Sequence, residues 1–145
     1  MTYQTNTTMS KQVIRVEHPA DGKGLWHSSG CGTRAVIKNH TKFTEIYNRH
    51  CDPSKFPNLW EDKTLAEIVG TLYDNGIDTS NYFFAFKSLE QLATALTNDE
   101  IKECINVLGF NILMLTVTDY HESDFQVIFK KESIVEKDDI TFMFL

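Results

Sequence analysis

Five potential zinc ligands fall within a span of 25 residues: His27, Cys31, His40, His50 and Cys51. Imidazole and thiolate are the ligands that zinc prefers. Their spacing does not fit a zinc site, because no Cys-x-x-Cys pair occurs and adjacent side chains such as His50 and Cys51 rarely reach one tetrahedral ion. The sequence therefore predicts no metal site.

A cysteine nucleophile is the second chemistry that this region could support. Cys31 follows a glycine-rich stretch close to His27, but a reactive thiolate also needs electropositive surroundings and a base oriented by a third group. The sequence shows no such arrangement, so free thiols are expected. The same stretch, GKGLWHSSGCG, lacks both the Gly-x-Gly-x-x-Gly order and the Lys-Ser/Thr ending of a phosphate-binding loop.

Three short motifs resemble ADP-ribosyltransferases of the poly(ADP-ribose) polymerase class. GLWHSSG (24–30) is similar to the Leu-Trp-His-Gly-Ser/Thr strand of that class, and YFFAFKSLEQL (82–92) to its Tyr-Phe-Ala strand followed by Lys-Ser and a helix. SDFQVIF (123–129) has the hydrophobic pattern of the strand that carries the catalytic glutamate. The resemblance implies an ADP-ribosyltransferase-like core that binds NAD or a related ADP-ribosyl compound.

Carried over by position, the resemblance implies a role for each matching residue. His27 with Ser28 or Ser29 would hold the nicotinamide end and ribose of NAD, Tyr82 would stack on the nicotinamide ring, and Gln126 would occupy the glutamate position. An aromatic face suits a planar heterocycle, and imidazole can hydrogen-bond ribose hydroxyls.

The first strand has an alternative register. VIRVEH resembles a first core strand more closely than GLWH does. In that register Arg15 or His18 would face NAD, as in the Arg-type transferases, and His27 would lie on a loop.

Gln126 is the main departure from the transferase pattern. A glutamine lacks the negative charge that would stabilise an oxocarbenium-like centre. Two outcomes follow: an enzyme that transfers ADP-ribose to a host macromolecule, or a degenerate protein that only binds the nucleotide.

A second resemblance covers most of residues 13–129. IRVEHPADGKG, FKSLEQL, GFNI and QVIF are similar to segments of small uncharacterised phage and bacterial proteins. This resemblance implies a phage protein without assigning an activity. The alternative function is therefore a non-enzymatic inhibitor or adaptor that binds a host protein, or an acidic mimic of nucleic acid.

Composition limits the remaining function classes. Apolar residues make up 41% and charged residues 23% of the chain, as in ordinary globular domains, and the net charge is −6. Negative charge opposes unaided binding to phosphate backbones. The polar first eleven residues contain no signal sequence, and the apolar run ILMLTV is too short to span a bilayer. A cytoplasmic protein without membrane contact is expected, in the host cytoplasm if phage-encoded.

Periodicity predicts one α+β domain over residues 12–145 after a disordered polar tail, 1–11. Strands are predicted at 12–18, 82–86, 110–117, 125–129 and 140–145, and helical patterns at 41–50, 64–74, 88–96 and 97–108. Capping boxes are predicted at Thr64, Ser88 and Thr97, each with Glu or Gln three residues later. Because helices are grouped between strands, a mixed or antiparallel sheet core is expected.

The aromatic run from Tyr82 to Phe86 permits two interpretations. It is either a buried strand or the wall of a pocket for a flat ligand. Strand alternation also permits two positions for Gln126: a solvent-facing residue opposite an inward Phe125, or a residue that shares a cleft with Arg15.

Overall fold

The computed structural model describes residues 9–20, 22–24, 41, 45–46 and 62–145. Within these residues, six strands are β1 Lys11–Glu17, β2 Tyr82–Ala85, β3 Asn111–Val117, β4 Tyr120–Glu122, β5 Val127–Lys130 and β6 Ile134–Asp139. Three α-helices are α1 Lys63–Asp74, α2 Leu89–Ala95 and α3 Asn98–Asn106. Of the helix predicted at 41–50, the described residues Thr41, Glu45 and Ile46 are helical, and most of the segment lies outside the described residues.

The strands form two antiparallel sheets. Sheet 1 has the order β1-β3-β6 and sheet 2 the order β2-β5-β4. The sheets meet at a corner, where Phe86, directly after β2, and Ile14 of β1 donate backbone hydrogen bonds to each other's carbonyl groups, at 2.7 and 2.9 Å. The predicted α+β class with an antiparallel core is confirmed.

Three hydrophobic layers hold these elements together. The first lies between sheet 1 and helices α2 and α3, the second between the two sheets, and the third between sheet 2 and α1. Alternation along β1 divides its residues between the first two layers: Ile14 and Val16 face the helices, whereas Val13 faces sheet 2. β3 contributes buried residues to both layers, Ile112 to the first and Leu113 to the second, because it is the central strand of sheet 1 and is covered on both faces.

Helix starts follow local side-chain chemistry. The Thr97 hydroxyl accepts from the Glu100 N–H at 3.2 Å, and the Glu100 carboxylate accepts from the Thr97 N–H at 2.9 Å, which confirms that capping box. Ser88 caps α2 as predicted. The predicted cap at Thr64 is wrong, because Asp62 is the N-cap of α1 and accepts from the Leu65 N–H at 3.2 Å.

Two predictions near the C-terminal end are wrong. Residues 140–145 do not form a strand, since the backbone turns into a 3-10 helix, Thr141–Phe144, after the Ile140 N–H donates to the Ile112 carbonyl. The last strand of sheet 1 is instead β6, whose residues are mostly exposed and polar because it lies at a sheet edge. The segment 119–124, which lies between two predicted strands, contains the short strand β4.

Candidate functional site

An open cleft of about 520 Å³ lies between the two sheets, where β1 ends and β3 begins. Sheet 1 and the loop after β1 supply part of its lining: Glu17, Pro19, Gly22, Asn111, Leu113, Lys137 and Asp139. Sheet 2 and the turn after it supply Phe83, Phe129 and Lys131, and Ile134, the first residue of β6, completes the lining. This surface is called the inter-sheet cleft below. Its volume lies within the range typical of small-molecule sites.

Aromatic rings form the sheet 2 wall of the inter-sheet cleft. Phe83 of β2 is half-buried, Phe129 of β5 is buried, and their ring centroids are 6.3 Å apart. The two residues are directly opposite each other in the β2–β5 register, so the ladder itself brings the rings together. An aromatic wall that is partly open to solvent can accept a flat ligand.

Arg15 lies behind this wall and is 3% exposed. Its guanidinium donates to Glu17 Oε1 at 2.9 Å, the Phe84 carbonyl at 2.6 Å and the Gly22 carbonyl at 3.2 Å, and its Cζ lies 4.8 Å from the Phe83 ring centroid. These bonds tie the loop after β1 to both sheets. Arg15 therefore shapes the cleft and places a positive charge under it, while its donors are directed at protein acceptors.

Two carboxylates and two ammonium groups line the mouth of the cleft. Glu17 lies between Arg15 and Lys137, with 3.7 Å from its Oε2 to Lys137 Nζ. Hydrogen bonding from the hydroxyl and backbone N–H of Thr141, with a smaller attraction from Lys137, holds the pKa of Asp139 below its usual value. Lys131 Nζ lies 5.7 Å from the centroid of the Phe83 ring. Together with Arg15 these groups leave a small excess of positive charge.

Tyr82 faces away from the inter-sheet cleft. Its ring packs with Leu65 and Ile128 in the layer between sheet 2 and α1, and the residue is only 2% exposed. The hydroxyl donates to Asp119 Oδ1 at 3.1 Å. Neighbouring strand residues point to opposite faces, so Phe83 rather than Tyr82 reaches the cleft.

Gln126 is fully buried, at 0% exposure, next to the start of α1. Its Nε2 donates to Asp62 Oδ2 at 3.1 Å, and the same oxygen accepts from the Ser123 hydroxyl at 2.6 Å. The interpretation of Gln126 as a solvent-facing residue opposite an inward Phe125 is wrong, since Phe125 is exposed. A turn held by Ser123 precedes β5, so regular alternation begins only at Val127.

The structure does not bring Arg15 together with Gln126 or with the ring of Tyr82. Arg15 lies on the face of sheet 1 that is directed at sheet 2, whereas the other two lie on the far face of sheet 2, towards α1. Strand β2 separates the two sets. The assignment of Arg15, Tyr82 and Gln126 to one ligand site stays a prediction. Such a site needs the three side chains to face one cleft, and in this structure they do not.

His18, the other first-strand candidate, has both ring nitrogens close to backbone groups. Nδ1 accepts from the Ala20 N–H at 3.1 Å, so Nε2 is the protonated nitrogen of the neutral ring and donates to the Leu108 carbonyl, also at 3.1 Å. The ring meets Phe110 edge to face. These contacts give His18 a role in joining the loop after β1 to the segment after α3.

The other sequence candidates, His27, Ser28 and Ser29, lie outside the described residues, as do the five potential zinc ligands. Within the described ranges, no group of three or more His, Cys, Asp or Glu side chains is placed to hold a metal ion. Sequence reasoning identified none of the residues that line the cleft as site residues, Phe83 and Lys131 among them. Their signal was present in part, since Phe83 belongs to the aromatic run, but nothing in the run identified the cleft face.

Comparison with known proteins places the chain in a family. The family model described as bacteriophage T4 Y00F protein matches residues 9–143. The chain belongs to this family. The match extends over all six strands and over every lining residue of the cleft, and it confirms the resemblance to small phage proteins. Searches of curated proteins and of solved structures gave no match. No helix in the described residues of this phage-family protein is long and apolar enough to cross a bilayer.

Proposed function

We propose that the protein binds NAD or a related ADP-ribosyl compound in the inter-sheet cleft, in the cytoplasm of the infected host. The observation that carries the proposal is the meeting of an aromatic wall, Phe83 and Phe129, with the ammonium groups of Lys131 and Lys137 in one opening. Rings stack on aromatic faces, and phosphates pair with cations. A nucleotide with a pyrophosphate carries both features.

The sequence resemblance names the same ligand class on independent grounds. It implies an NAD-binding protein whose ligand contacts come from the first strand, from the strand predicted at 82–86 and from the strand predicted at 125–129. In this structure β1 and β2 meet at the corner between the sheets and β2 pairs with β5, so these strands border the inter-sheet cleft. The residue directed at the cleft from β2 is Phe83, and the proposal gives it the stacking role that the sequence assigned to Tyr82.

Catalysis is a separate step of the proposal. Transfer would break the bond between nicotinamide and ribose and form a new bond from the ribose to an acceptor, with nicotinamide as the leaving group. The carboxylates that line the cleft are Glu17 and Asp139, whereas Gln126 is buried on the other side of β2. Catalysis in the cleft would therefore depend on Glu17 or Asp139, and NAD hydrolysis tests it separately from binding.

The test is a thermal-shift titration with NAD, ADP-ribose and nicotinamide. A ligand that binds only the native state, present at a hundred times its Kd, stabilises the protein by about 2.7 kcal/mol, so NAD and ADP-ribose should raise Tm. Phe83→Leu should weaken both about tenfold through lost stacking. Phe84→Leu is the matched control, because Phe84 packs towards α1. Equal loss in the two variants, or no shift with either nucleotide, contradicts the proposal.

A non-enzymatic adaptor that binds a host protein is the second candidate. One observation favours it: Phe142, Met143 and Leu145 form a largely exposed apolar segment at the end of the described chain, with Phe142 72% exposed. An adaptor predicts that a Phe142→Ser, Met143→Ser double variant loses a partner that co-purifies with wild type from host cells. Retention of that partner by Phe83→Leu would separate this function from nucleotide binding.

A further inference from the structure

Lys131 occupies an unusual position at the mouth of the inter-sheet cleft. The residue is exposed and lies in the 3-10 turn between β5 and β6, with its ammonium group 5.7 Å from the centroid of the Phe83 ring. Among the described residues, no carboxylate lies within ion-pair distance of Lys131 Nζ. The contact with Phe83 is thus a cation–π contact of a charge that no carboxylate of the described residues neutralises.

The second cation over the same ring behaves differently. Arg15 is buried and donates hydrogen bonds to Glu17 and to the carbonyl groups of Phe84 and Gly22. Removing it from Phe83 would leave the carbonyl groups of Phe84 and Gly22 without these donors, which is costly in a buried site. Lys131 Nζ has no hydrogen-bond partner among the described residues, so it is the cation that an entering ring can displace.

Lys131 can also move without breaking the turn that carries it. The turn uses backbone groups, with the Ile134 N–H donating to the Lys131 carbonyl, and the Ser133 hydroxyl donates to the Lys130 carbonyl at 2.8 Å. The four-carbon side chain of lysine is flexible and ends in a compact charge. Its ammonium group can therefore leave the ring while the backbone stays in place.

We infer that Lys131 selects for phosphate-bearing ligands by covering Phe83 in the free protein and pairing with the ligand's phosphate in the complex. A flat ligand that stacks on Phe83 displaces the ammonium group and loses the cation–π contact. A ligand that also carries phosphate offers the displaced ammonium a stronger partner. A nucleoside offers none. This inference rests on the proposed function and specifies its ligand class. Lys131 opposes the binding of nucleosides and favours the binding of the matching nucleotides.

The inference predicts opposite effects of one substitution on two ligands. Lys131→Ala should weaken ADP-ribose about tenfold, through loss of a charge-assisted contact. The same change should strengthen adenosine about twofold to fivefold, because the ring no longer has to displace a cation. Lys131→Arg should keep the wild-type preference. A merely structural role of Lys131 would change the two affinities in the same direction.

The experiment is calorimetric titration of wild type, Lys131→Ala and Lys131→Arg with ADP-ribose and with adenosine. Lys102→Ala is the matched control, because it removes the same charge at a site away from the cleft. Lys102 is an exposed residue of α3, which packs on the far face of sheet 1. Tm without ligand checks that each variant is folded.

Each outcome of this titration is decisive. Opposite signs for the two ligands, absent in Lys102→Ala, support the inference. If wild type binds ADP-ribose but Lys131→Ala changes both affinities in the same direction, changes only one of them or changes neither, the inference is overturned and the proposed function stands. Failure of wild type to bind ADP-ribose overturns both.

Discussion

At the scale of single residues, the decisive fact is a one-residue difference on β2. Tyr82 and Phe83 are neighbours, yet one packs against α1 and the other lines the inter-sheet cleft. The sequence predicted an aromatic strand with a pocket wall as one interpretation. It could not say which ring faces the cleft, because both faces of β2 are covered and the usual contrast of polar and apolar positions is missing.

Tyr82→Phe tests the position of Tyr82. The ring stays in its layer and only the hydroxyl that donates to Asp119 is lost, so the free energy of unfolding should fall by about 1 kcal/mol. The affinity for ADP-ribose should be unchanged. Urea unfolding and calorimetric titration measure the two quantities. A large loss of affinity with wild-type stability would show that the phenol contacts the ligand.

Gln126→Glu tests the position that the resemblance assigned to catalysis. The new carboxyl would lie buried beside Asp62, and both burial and the neighbouring charge raise its pKa. Unfolding at pH 8 should require about 3–5 kcal/mol less than in wild type, because breaking a buried polar pair leaves an uncompensated charge. At pH 5, where the introduced group is protonated and can donate to Asp62, the loss should be smaller.

Gln126→Leu serves as the control for this pH dependence. It removes the hydrogen bond without adding a carboxyl, so its cost of about 1–3 kcal/mol should change little between pH 5 and pH 8. Urea unfolding at both pH values measures it. A Gln126→Glu protein that is as stable as wild type and cleaves NAD would show instead that this is the catalytic position.

At the scale of elements, most helix caps could be predicted from the sequence, whereas the exposed edge strand β6 could not. The caps at Ser88 and Thr97 were predicted because each combines a hydroxyl with a matching residue three positions later. Thr64 and Glu67 show the same pattern, but Asp62 caps α1 two residues earlier, since its carboxylate is also held by Ser123 and Gln126 from another part of the chain. β6 was missed because an exposed edge strand lacks apolar alternation.

Thr97→Ala and Thr64→Ala form a matched pair for the caps. The Thr97 change removes a hydroxyl that accepts from the Glu100 N–H and should cost about 1 kcal/mol of unfolding free energy. The Thr64 change should be within about 0.5 kcal/mol of wild type, because Thr64 is an exposed helix residue. Urea denaturation compares the two variants. Equal costs would mean that Thr64, not Asp62, starts α1.

Asp139→Asn should change the dependence of stability on pH. Thr141 lowers the pKa of Asp139 in the folded state, so the ionised form stabilises the fold above the unfolded pKa, and this contribution is lost as pH falls through the folded pKa. The variant should unfold more easily than wild type at pH 7, and the difference should shrink towards pH 3. Asp138→Asn, at the next exposed position of β6, is the control. A difference that is constant with pH, measured by thermal unfolding, would contradict this role.

At the scale of the whole molecule, the α+β class followed from the order of elements, whereas the strand order did not. Pairing of β1 with β3 joins residues about a hundred positions apart, and such contacts leave no local pattern in a sequence. The inter-sheet cleft depends on that pairing, since Glu17, Phe83 and Asp139 come from three distant segments. For a site assembled in this way, the sequence could predict the types of residue involved but not which residues meet.

If the cleft is the binding site, its occupant contacts both sheets at once. Saturating ADP-ribose should therefore slow the hydrogen exchange of amides that open locally around Phe83 in sheet 2 and Lys137 in sheet 1. Amides of α3, which packs on the other face of sheet 1, should gain only the protection that comes from global stabilisation. Exchange monitored by mass spectrometry measures all three segments. Protection confined to one sheet, or the same pattern in Phe83→Leu, would show that the nucleotide binds outside the cleft.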